Sequence, residues 1–343
     1  MAKHVISQLA HVELYSVDPE GSLRFFRDVL GMEEAGRERQ SVHLRAWGEH
    51  HRSSLTITEA ARPGLGHVGW RSNGPEELEL AVADLKASGL GEGWIDGAFG
   101  HGPAYRFRTP DGHPNEVFWE WERYRAPEGA WSRIRNHPQR LSGRGAMVRR
   151  IDHVNLFCQD VPGARALFQE RLGFKYNEML TTLDGQEVGA FLACSSLSHD
   201  LGLIQDASGG VGRLNHVAYW LDTREDVIRA ADLLVDAGFE LEHGPTRHAI
   251  SEAFFVYVFE PGGNRVEVYS GGYLNFAPDW GPIRWSFADN PILYWGGQPP
   301  ETMTAKSWGS PPTPEQEEAS RRPGPTAGTG YAAGPPPEAL PHS

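Results

Sequence analysis

The sequence predicts an α+β protein with two homologous domains, each made of two βαβββ modules. Three pairs of similar segments lead to this prediction, because each pair keeps its internal spacing between the two halves of the chain. Helices interspersed with runs of strands further indicate α+β layering. We therefore expect each half to curl an open mixed sheet around a pocket, with the helices outside.

The first pair of segments opens each half. HVELYSVDPEGSLRFFRDVLGM starts at His11, and HVNLFCQDVPGARALFQERLGF starts at His153. Each is typical of a strand, a loop and a helix whose apolar positions recur at i, i+3 and i+4. Each histidine precedes by 20 residues a glycine, Gly31 or Gly173, that suits a left-handed helix C-cap. The two segments therefore have the same predicted structure.

The second and third pairs repeat further along each half. LGHVGWRSNGPEELELAVADLKASGL around His67 matches LNHVAYWLDTREDVIRAADLLVDAGF around His216, and both predict a strand followed by a helix. TPDGHPNEVFWE matches EPGGNRVEVYSG, which sets Glu116 and Glu267 in equivalent closing strands. Agreement at three separate positions makes chance similarity a poor explanation.

The repeats and the composition divide the chain into four segments. We predict a non-catalytic N-terminal domain at 1–125, a linker at 126–147 and a C-terminal metal-binding catalytic domain at 148–300. Segment 301–343 is rich in Pro, Gly and Glu with few large apolar residues, so we expect it to be largely disordered.

Composition and charge exclude several classes of function. The 343 residues are 39% hydrophobic with a formal net charge of −13, which argues against a nucleic-acid partner. The strongest apolar run, AFFVYVF at 253–259, is too short to span a bilayer, and the first residues contain no sustained apolar region. The two cysteines, Cys158 and Cys194, are too few for a disulfide framework. These features predict a protein of the reducing cytoplasm that does not bind membranes.

Three repeated positions in the second half are candidate metal ligands. In EPGGNRVEVYS, Glu267 alternates with valines, which by itself is typical of the solvated face of an antiparallel sheet. If this carboxylate is buried, it needs a cation. His153 and His216 each open a strand, and two imidazoles with one carboxylate form the facial triad of non-haem Fe(II) oxygenases. Histidines that only pack in a core remain an alternative at this point.

A family resemblance strengthens the metal hypothesis. The stretches IDHVNLF, SLSHDLGLI, RLNHVAYWLDTREDVIRAADLL and GPTRHAISEAFFVYVFEPGGNRVEVYSGG resemble the type I extradiol catechol dioxygenases of the vicinal oxygen chelate superfamily. The resemblance covers about residues 5–300. It implies the vicinal oxygen chelate, or glyoxalase-like, fold, a homotetramer, and Fe(II), or occasionally Mn(II), held by His153, His216 and Glu267. It also implies meta cleavage of a catechol by O2 to a 2-hydroxymuconic semialdehyde.

The same resemblance implies roles for residues near the ligands. His199, in SLSHDLG, matches the group that donates a hydrogen bond to bound dioxygen and transfers protons. His248 and Tyr257 match the groups that hydrogen-bond the catecholate. The strand pattern alone would make Tyr257 a core aromatic residue. The residues expected to contact substrate or dioxygen, or to order the site, are Asn155, Phe191 and Arg247.

The first half repeats the three candidate ligands as His11, His67 and Glu116. However, Glu13 and Arg106 replace the amide and the phenol that accompany the ligands in the second half. The resemblance also implies that only the second half is catalytic. We therefore expect one metal site per chain.

The segment ADNPILYWGG bears on the substrate. Pro291, Ile292 and Leu293 stand where relatives that cleave carboxylated catechols carry arginines. An apolar lining would leave a substrate carboxylate unpaired, so we predict catechol or small alkyl- or halo-catechols. A homoprotocatechuate-type activity is the alternative, because Arg284 or Arg247 could supply the charge.

Two other classes of protein share the superfamily. Non-catalytic proteins that sequester small molecules lack the triad together with His199, His248 and Tyr257, and metal isomerases of the glyoxalase type have different ligand sets. The sequence favours the dioxygenase over both.

Overall fold

A computed structural model of the protein describes residues 4–206, 208–297 and 302. Except for Thr302, the predicted tail at 301–343 lies outside the described residues. The boundaries proposed for the domains and the linker remain predictions, but the sheet strands of the two halves run from Ile6 to Phe118 and from Arg150 to Ser286.

The N-terminal half forms two βαβββ modules, as predicted. The first comprises β1 (Ile6–Ser16), α1 (Pro19–Arg24), β2 (Glu33–Glu38), β3 (Ser41–Arg45) and β4 (Leu55–Glu59). The second comprises β5 (Gly64–Ser72), α2 (Pro75–Ser88), β6 (Gly91–Ile95), β7 (Ala104–Arg108) and β8 (Pro114–Phe118). Within the described residues these strands make one sheet in the order β2-β3-β4-β1-β5-β8-β7-β6.

The C-terminal half repeats this arrangement. Its first module comprises β9 (Arg150–Cys158), α3 (Val161–Ala166), β10 (Lys175–Thr181), β11 (Glu187–Ala193) and β12 (Leu201–Gln205). Its second comprises β13 (Leu214–Trp220), α4 (Arg224–Asp236), β14 (Leu241–Arg247), β15 (Ala253–Phe259) and β16 (Arg265–Gly271). The order is β14-β15-β16-β13-β9-β12-β11-β10-β17, where β17 (Ile283–Ser286) is an additional strand parallel to β10.

The strands that carry the candidate ligands are neighbours in both sheets. β9 pairs antiparallel with β13, which pairs parallel with β16. In the N-terminal half β1 pairs antiparallel with β5, which pairs parallel with β8. Because the three strands are adjacent, side chains on the same face can meet at one point.

The first helix of each half differs from a simple α-helix. The α-helical part of α1 is followed by a π-helical turn at Phe25–Val29, and α3 is followed by one at Leu167–Arg171. Two consecutive apolar side chains, Phe25 and Phe26, are buried in the first of these turns. Gly31 and Gly173 follow these turns with φ of 80° and 75°, which confirms the predicted left-handed positions.

The two halves share a hydrophobic core. The ring of Phe26 lies 5.9 Å from that of Tyr219, and the ring of Trp70 lies 5.2 Å from that of Phe174. Packing between the halves thus covers the sheet face opposite to the ligands. Among the described residues, the helices are too short or too polar to cross a bilayer.

Candidate metal centre and catalytic site

Three buried side chains of the C-terminal half converge, as the sequence predicted. His153 Nε2 lies 3.1 Å from His216 Nε2 and 3.1 Å from Glu267 Oε2, and His216 Nε2 lies 3.0 Å from the same carboxylate oxygen. Ligand atoms about 2.0–2.2 Å from one metal ion and roughly at right angles lie about 3 Å apart. The three distances are therefore those expected for three ligand atoms on one face of a metal coordination sphere. Glu267 does not lie on a solvated sheet face, because its side chain is buried.

Hydrogen bonds fix the tautomers of both imidazoles. His153 Nδ1 lies 3.0 Å from Asp152 Oδ1, so it donates to that carboxylate. His216 Nδ1 lies 3.0 Å from Asn215 Oδ1, an atom that also accepts from Arg265 Nη1 at 3.2 Å and must therefore be an oxygen. In the neutral rings, both Nε2 atoms thus present lone pairs towards Glu267.

Three hydrogen-bond acceptors consequently face one another in a buried space. Such an arrangement is unfavourable without a cation between them, because a buried charge needs compensation. The donor set, two imidazoles and one carboxylate, suits Fe(II), and the same ligands suit Mn(II). The residues present therefore fit the metal that the sequence implies.

The pKa values of the triad reflect the same convergence. Burial would raise the pKa of Glu267, but the contacts with His153 and His216 hold it well below its usual value. Without a metal, burial would lower the pKa of His153, but the hydrogen bonds with Asp152 and Glu267 raise it to about 9, so a proton on Nε2 would take the place of the cation. Burial dominates at His216 and lowers its pKa to about 4. Glu267 is therefore an anion.

His199 lies beside the triad. Its ring centroid is 4.2 Å from that of His153, and the ring of Phe191 packs edge-on against it at 5.3 Å. Burial lowers the pKa of His199 well below its ordinary value. The sequence-predicted His199 and Phe191 are therefore both at the site, with the aromatic ring holding the imidazole against the ligand shell.

His248 and Tyr257 lie on the other side of the carboxylate. The Nδ1 atom of His248 donates to the carbonyl oxygen of Ile292, so its neutral Nε2 atom is an acceptor. That atom lies 3.3 Å from the Tyr257 hydroxyl and 3.8 Å from Glu267 Oε1. Tyr257 also pairs directly with Glu267 in the β15–β16 ladder. These two residues therefore form one hydrogen-bonded unit next to the ligands.

The remaining two predicted residues occupy different environments. Asn155 is buried on β9 opposite His216, and its Oδ1 atom has no hydrogen-bond partner within the described residues. The guanidinium of Arg247 instead lies 3.8 Å from Glu252 and 5.7 Å from the ring centroid of Tyr294. Asn155 thus lies next to the strand position of His216, whereas Arg247 contacts the segment that follows β17.

The equivalent residues of the N-terminal half also converge. His11 Nε2 lies 2.9 Å from His67 Nε2 and 3.2 Å from Glu116 Oε1, and His67 Nε2 lies 3.5 Å from that oxygen. A fourth side chain, His101, approaches the same carboxylate oxygen at 3.0 Å. The sequence did not suggest His101, because it lies in a loop with no counterpart among the repeated motifs.

Sequence reasoning also missed the partners of the two ligand histidines. Asp152 and Asn215 immediately precede His153 and His216 in the chain. The side chain of Asp152 additionally accepts from the Tyr269 hydroxyl and contacts Arg150. The signal was present as an Asp-His and an Asn-His pair at repeated positions, since a ligand histidine usually donates its other N–H to such a group.

Comparisons with known proteins agree with this geometry. Residues 8–117 and 150–268 each match the model of the Glyoxalase/Bleomycin resistance protein/Dioxygenase superfamily, which confirms the internal repeat. The chain is 43% identical over 288 residues to a metapyrocatechase of Geobacillus stearothermophilus, covering 83% of this chain and 88% of the relative. It is 40% identical over 284 residues to a manganese-dependent 2,3-dihydroxybiphenyl 1,2-dioxygenase of Geobacillus genomosp. 3, covering 82% and 90%.

A solved structure extends the likeness to the fold. The 2,3-dioxygenase LapB from Pseudomonas sp. KL28 superposes with a TM-score of 0.77 at 29% identity, covering 84% of this chain and 100% of that one. Fold, ligand geometry and sequence similarity point to the same group of proteins. The chain therefore belongs to the Glyoxalase/Bleomycin resistance protein/Dioxygenase superfamily and, within it, to the extradiol dioxygenases related to metapyrocatechase.

Proposed function

We propose that the C-terminal half of this chain is an extradiol dioxygenase site that opens the ring of a catechol next to its two hydroxyls. O2 is the second substrate, and the product is a 2-hydroxymuconic semialdehyde. The observation that carries the proposal is the convergence of His153, His216 and Glu267, at 3.0–3.1 Å, beside His199, His248 and Tyr257. The similarity to metapyrocatechase supports it.

His153, His216 and Glu267 would hold Fe(II), with Mn(II) as the alternative that the manganese-dependent relative suggests. When bound, such a metal supplies Lewis acidity and brings the catechol and dioxygen together. Asp152 and Asn215 keep both imidazole Nε2 lone pairs directed inward. The protein thereby preorganises the ligand set before metal or substrate binds.

His199 would exchange protons with the reacting oxygen atoms. Its imidazole is buried against His153 and Phe191, which excludes water and leaves few orientations open to the ring. A histidine fixed next to the ligands can both donate a hydrogen bond and transfer a proton. We propose it as the acid–base residue.

His248 and Tyr257 would position the catechol, and His248 Nε2 would receive its hydroxyl proton. The carbonyl of Ile292 fixes His248 with Nε2 as an acceptor, and Tyr257 supplies a hydroxyl 3.3 Å away. Phe255 stacks on the His248 ring at 3.7 Å, which limits its rotation. Asn155 and Phe191 would line the remaining sides of the substrate space.

Apolar residues support a small, uncharged catechol as the substrate. Leu293 packs in a cluster with Tyr257, and Ile292 packs with Phe191. Arg284 Nη1 lies 3.3 Å from the sulfur of Met179. Arg247, the other candidate for binding a substrate carboxylate, is close to Glu252. We propose catechol and small alkyl- or halo-catechols over carboxylated ones.

Oxygen uptake with product absorbance tests the activity. Protein purified without air and loaded with Fe(II) should consume O2 on addition of catechol or 3-methylcatechol and form a yellow product in equal amount. Glu267→Ala should abolish both signals. Glu240→Ala, which changes an exposed glutamate of the same half, is the matched control and should leave them unchanged.

Absence of uptake by iron-loaded wild-type protein with every catechol would contradict the proposed reaction. A much higher kcat/KM for homoprotocatechuate than for 3-methylcatechol would instead retain the reaction and overturn the proposed substrate class.

We further propose a homotetramer in the cytoplasm. The tetramer rests on the family resemblance, and the location is supported by Cys158 and Cys194, which are both free and buried. Light scattering after size-exclusion chromatography would test the assembly, and a monomer at micromolar concentration would contradict it. Fractionation of the producing cells would test the location.

A further inference from the structure

The N-terminal half holds a second cluster of the same ligand types. His11, His67 and Glu116 lie on the adjacent strands β1, β5 and β8, and one ligand atom from each lies within 4.8 Å of the other two. Glu116 is fully buried. A packed core histidine pair would not require a buried carboxylate at its centre, so this cluster needs a physical explanation.

Hydrogen bonds fix two of the surrounding imidazoles. His67 Nδ1 donates to Glu13 Oε2 at 2.8 Å, and the other oxygen of Glu13 accepts from Thr58 at 2.6 Å. His101 Nδ1 lies 2.8 Å from the carbonyl oxygen of Gly102, which can only accept. In their neutral forms, both His67 and His101 therefore direct an Nε2 lone pair towards Glu116.

With all three imidazoles neutral, as metal ligation requires, the cluster contains more acceptors than protons. His67 Nε2, His101 Nε2 and Glu116 Oε1 are all acceptors, and a neutral His11 offers them at most one N–H. His101 Nε2 and Glu116 Oε1 are buried and have no hydrogen-bond partner of acceptable geometry, although they are 3.0 Å apart. A cation held by His11, His67 and Glu116 would accept the lone pairs of both ligand imidazoles and compensate the Glu116 carboxylate.

We propose that the N-terminal half binds a second divalent transition-metal ion through His11, His67 and Glu116, with His101 beside the ligand carboxylate. Imidazole and carboxylate donors suit Zn²⁺ and Fe²⁺. The cluster opens onto a cavity of about 510 Å³ lined in part by His11, His67 and His101, which gives an ion a route from solvent.

The substitutions that led us to expect a single site affect catalysis more than metal affinity. Glu13, in place of Asn155, orients His67 as an outer carboxylate does at many metal sites. Arg106, in place of Tyr257, contacts the second oxygen of Glu116 at 3.4 Å and leaves the first one to the histidines. The ligands themselves remain intact.

The second site lacks the groups for ring cleavage. Leu55 pairs with Val12 as Leu201 pairs with Val154, so Ser53 occupies the place of His199. With neither that acid–base histidine nor the phenol, the N-terminal metal is structural. This inference is independent of the reaction proposed for the C-terminal half.

Metal counting with Zn²⁺ tests the inference without relying on activity. Metal-free full-length protein is loaded with Zn²⁺, dialysed against metal-free buffer and analysed for zinc per chain. We expect about two Zn²⁺ per wild-type chain. Glu116→Gln and Glu267→Gln should each reduce this to about one, and the double variant should retain almost none.

Wild-type protein that binds about one Zn²⁺ per chain, all of it lost in Glu267→Gln, would overturn the inference. This comparison uses only the wild type and Glu267→Gln, so it does not require the Glu116 variant to fold. Fe(II)-loaded Glu116→Gln should still cleave catechol, and a Zn²⁺-dependent increase in the melting temperature of Glu267→Gln would independently report the N-terminal ion.

Discussion

His11, His67 and Glu116 in the N-terminal half and His153, His216 and Glu267 in the C-terminal half occupy equivalent strands and converge in the same way. Their neighbours differ. The C-terminal histidines donate to the residues that precede them, whereas Ala10 and Gly66 precede the N-terminal pair and cannot accept through a side chain.

The N-terminal half orients His67 through Glu13 instead, and it carries Ser53 and Arg106 where the C-terminal half carries His199 and Tyr257. The repeated sheet therefore determines where ligands converge, and the residues around them determine whether the site handles a substrate. The following predictions test this division of roles.

Removal of one ligand imidazole should give the largest difference in activity between variants of the two halves. His153→Ala should lower ring cleavage to below about a thousandth of wild type, because the metal that activates both substrates is lost. His11→Ala should keep activity within about twofold, because the two clusters do not share ligands. Oxygen uptake under saturating catechol measures both. Equal losses in the two variants would show that the halves are functionally coupled.

Replacement of the acid–base histidine should affect the rate without affecting the metal. His199→Asn should reduce kcat by about 10²–10⁴-fold and change its pH profile, since the proton-transfer group is removed. The metal content should remain that of wild type. Ser53→Ala, at the equivalent place in the N-terminal half, should change neither quantity. Loss of metal from His199→Asn would identify that residue as a ligand rather than a proton carrier.

The outer carboxylates should tune metal affinity in each half separately. Asp152→Asn should weaken Zn²⁺ binding at the C-terminal cluster by about 10–100-fold, because it weakens the hydrogen bond that orients His153. Glu13→Gln should weaken the N-terminal cluster by a similar factor. Competition titration with a chromophoric chelator resolves the two affinities. If Glu13→Gln left every affinity unchanged, the role assigned to Glu13 would be wrong.

Glu178, a buried carboxylate of the C-terminal half that has no equivalent in the N-terminal half, should make the stability of the protein depend on pH. Burial raises the pKa of Glu178 to about 7, against the hydrogen bonds from Trp285 and Ser251, whereas Gly36 stands at the equivalent position of the N-terminal sheet. The folded protein retains this proton at pH values where the unfolded chain, with a pKa near 4.5, has lost it. Its contribution to stability is therefore present below about pH 4.5 and decreases as the pH rises through about 7.

Glu178→Gln should abolish that dependence, which amounts to about 3 kcal/mol for a shift of this size. Urea unfolding of both proteins between about pH 5 and pH 8 measures it. An unchanged pH dependence in the variant would assign the effect to other groups.

Periodicity and repetition predicted the α+β modules and indicated the candidate ligands, whereas the family resemblance was needed to favour a metal site over packed core histidines. The spacing from His153 to its glycine equals that from His11, and the spacing from His216 equals that from His67, which predicted the repeated modules because a repeated strand and helix occupy the same length. Gly31 and Gly173 indicated the ends of the first helices, because only glycine adopts their positive φ without cost. The π-helical turns and β17 carry no such periodic signal and were not predicted.

Only the tertiary structure decided which atoms meet. The sequence indicated which residues are candidate ligands and on which strands they lie, since side-chain alternation along a strand is a local property. It could not determine that the three ligand strands are neighbours, that His101 turns back to Glu116, or which ring nitrogens donate. Those properties depend on pairing between distant segments and on the hydrogen-bond partners that this pairing brings together.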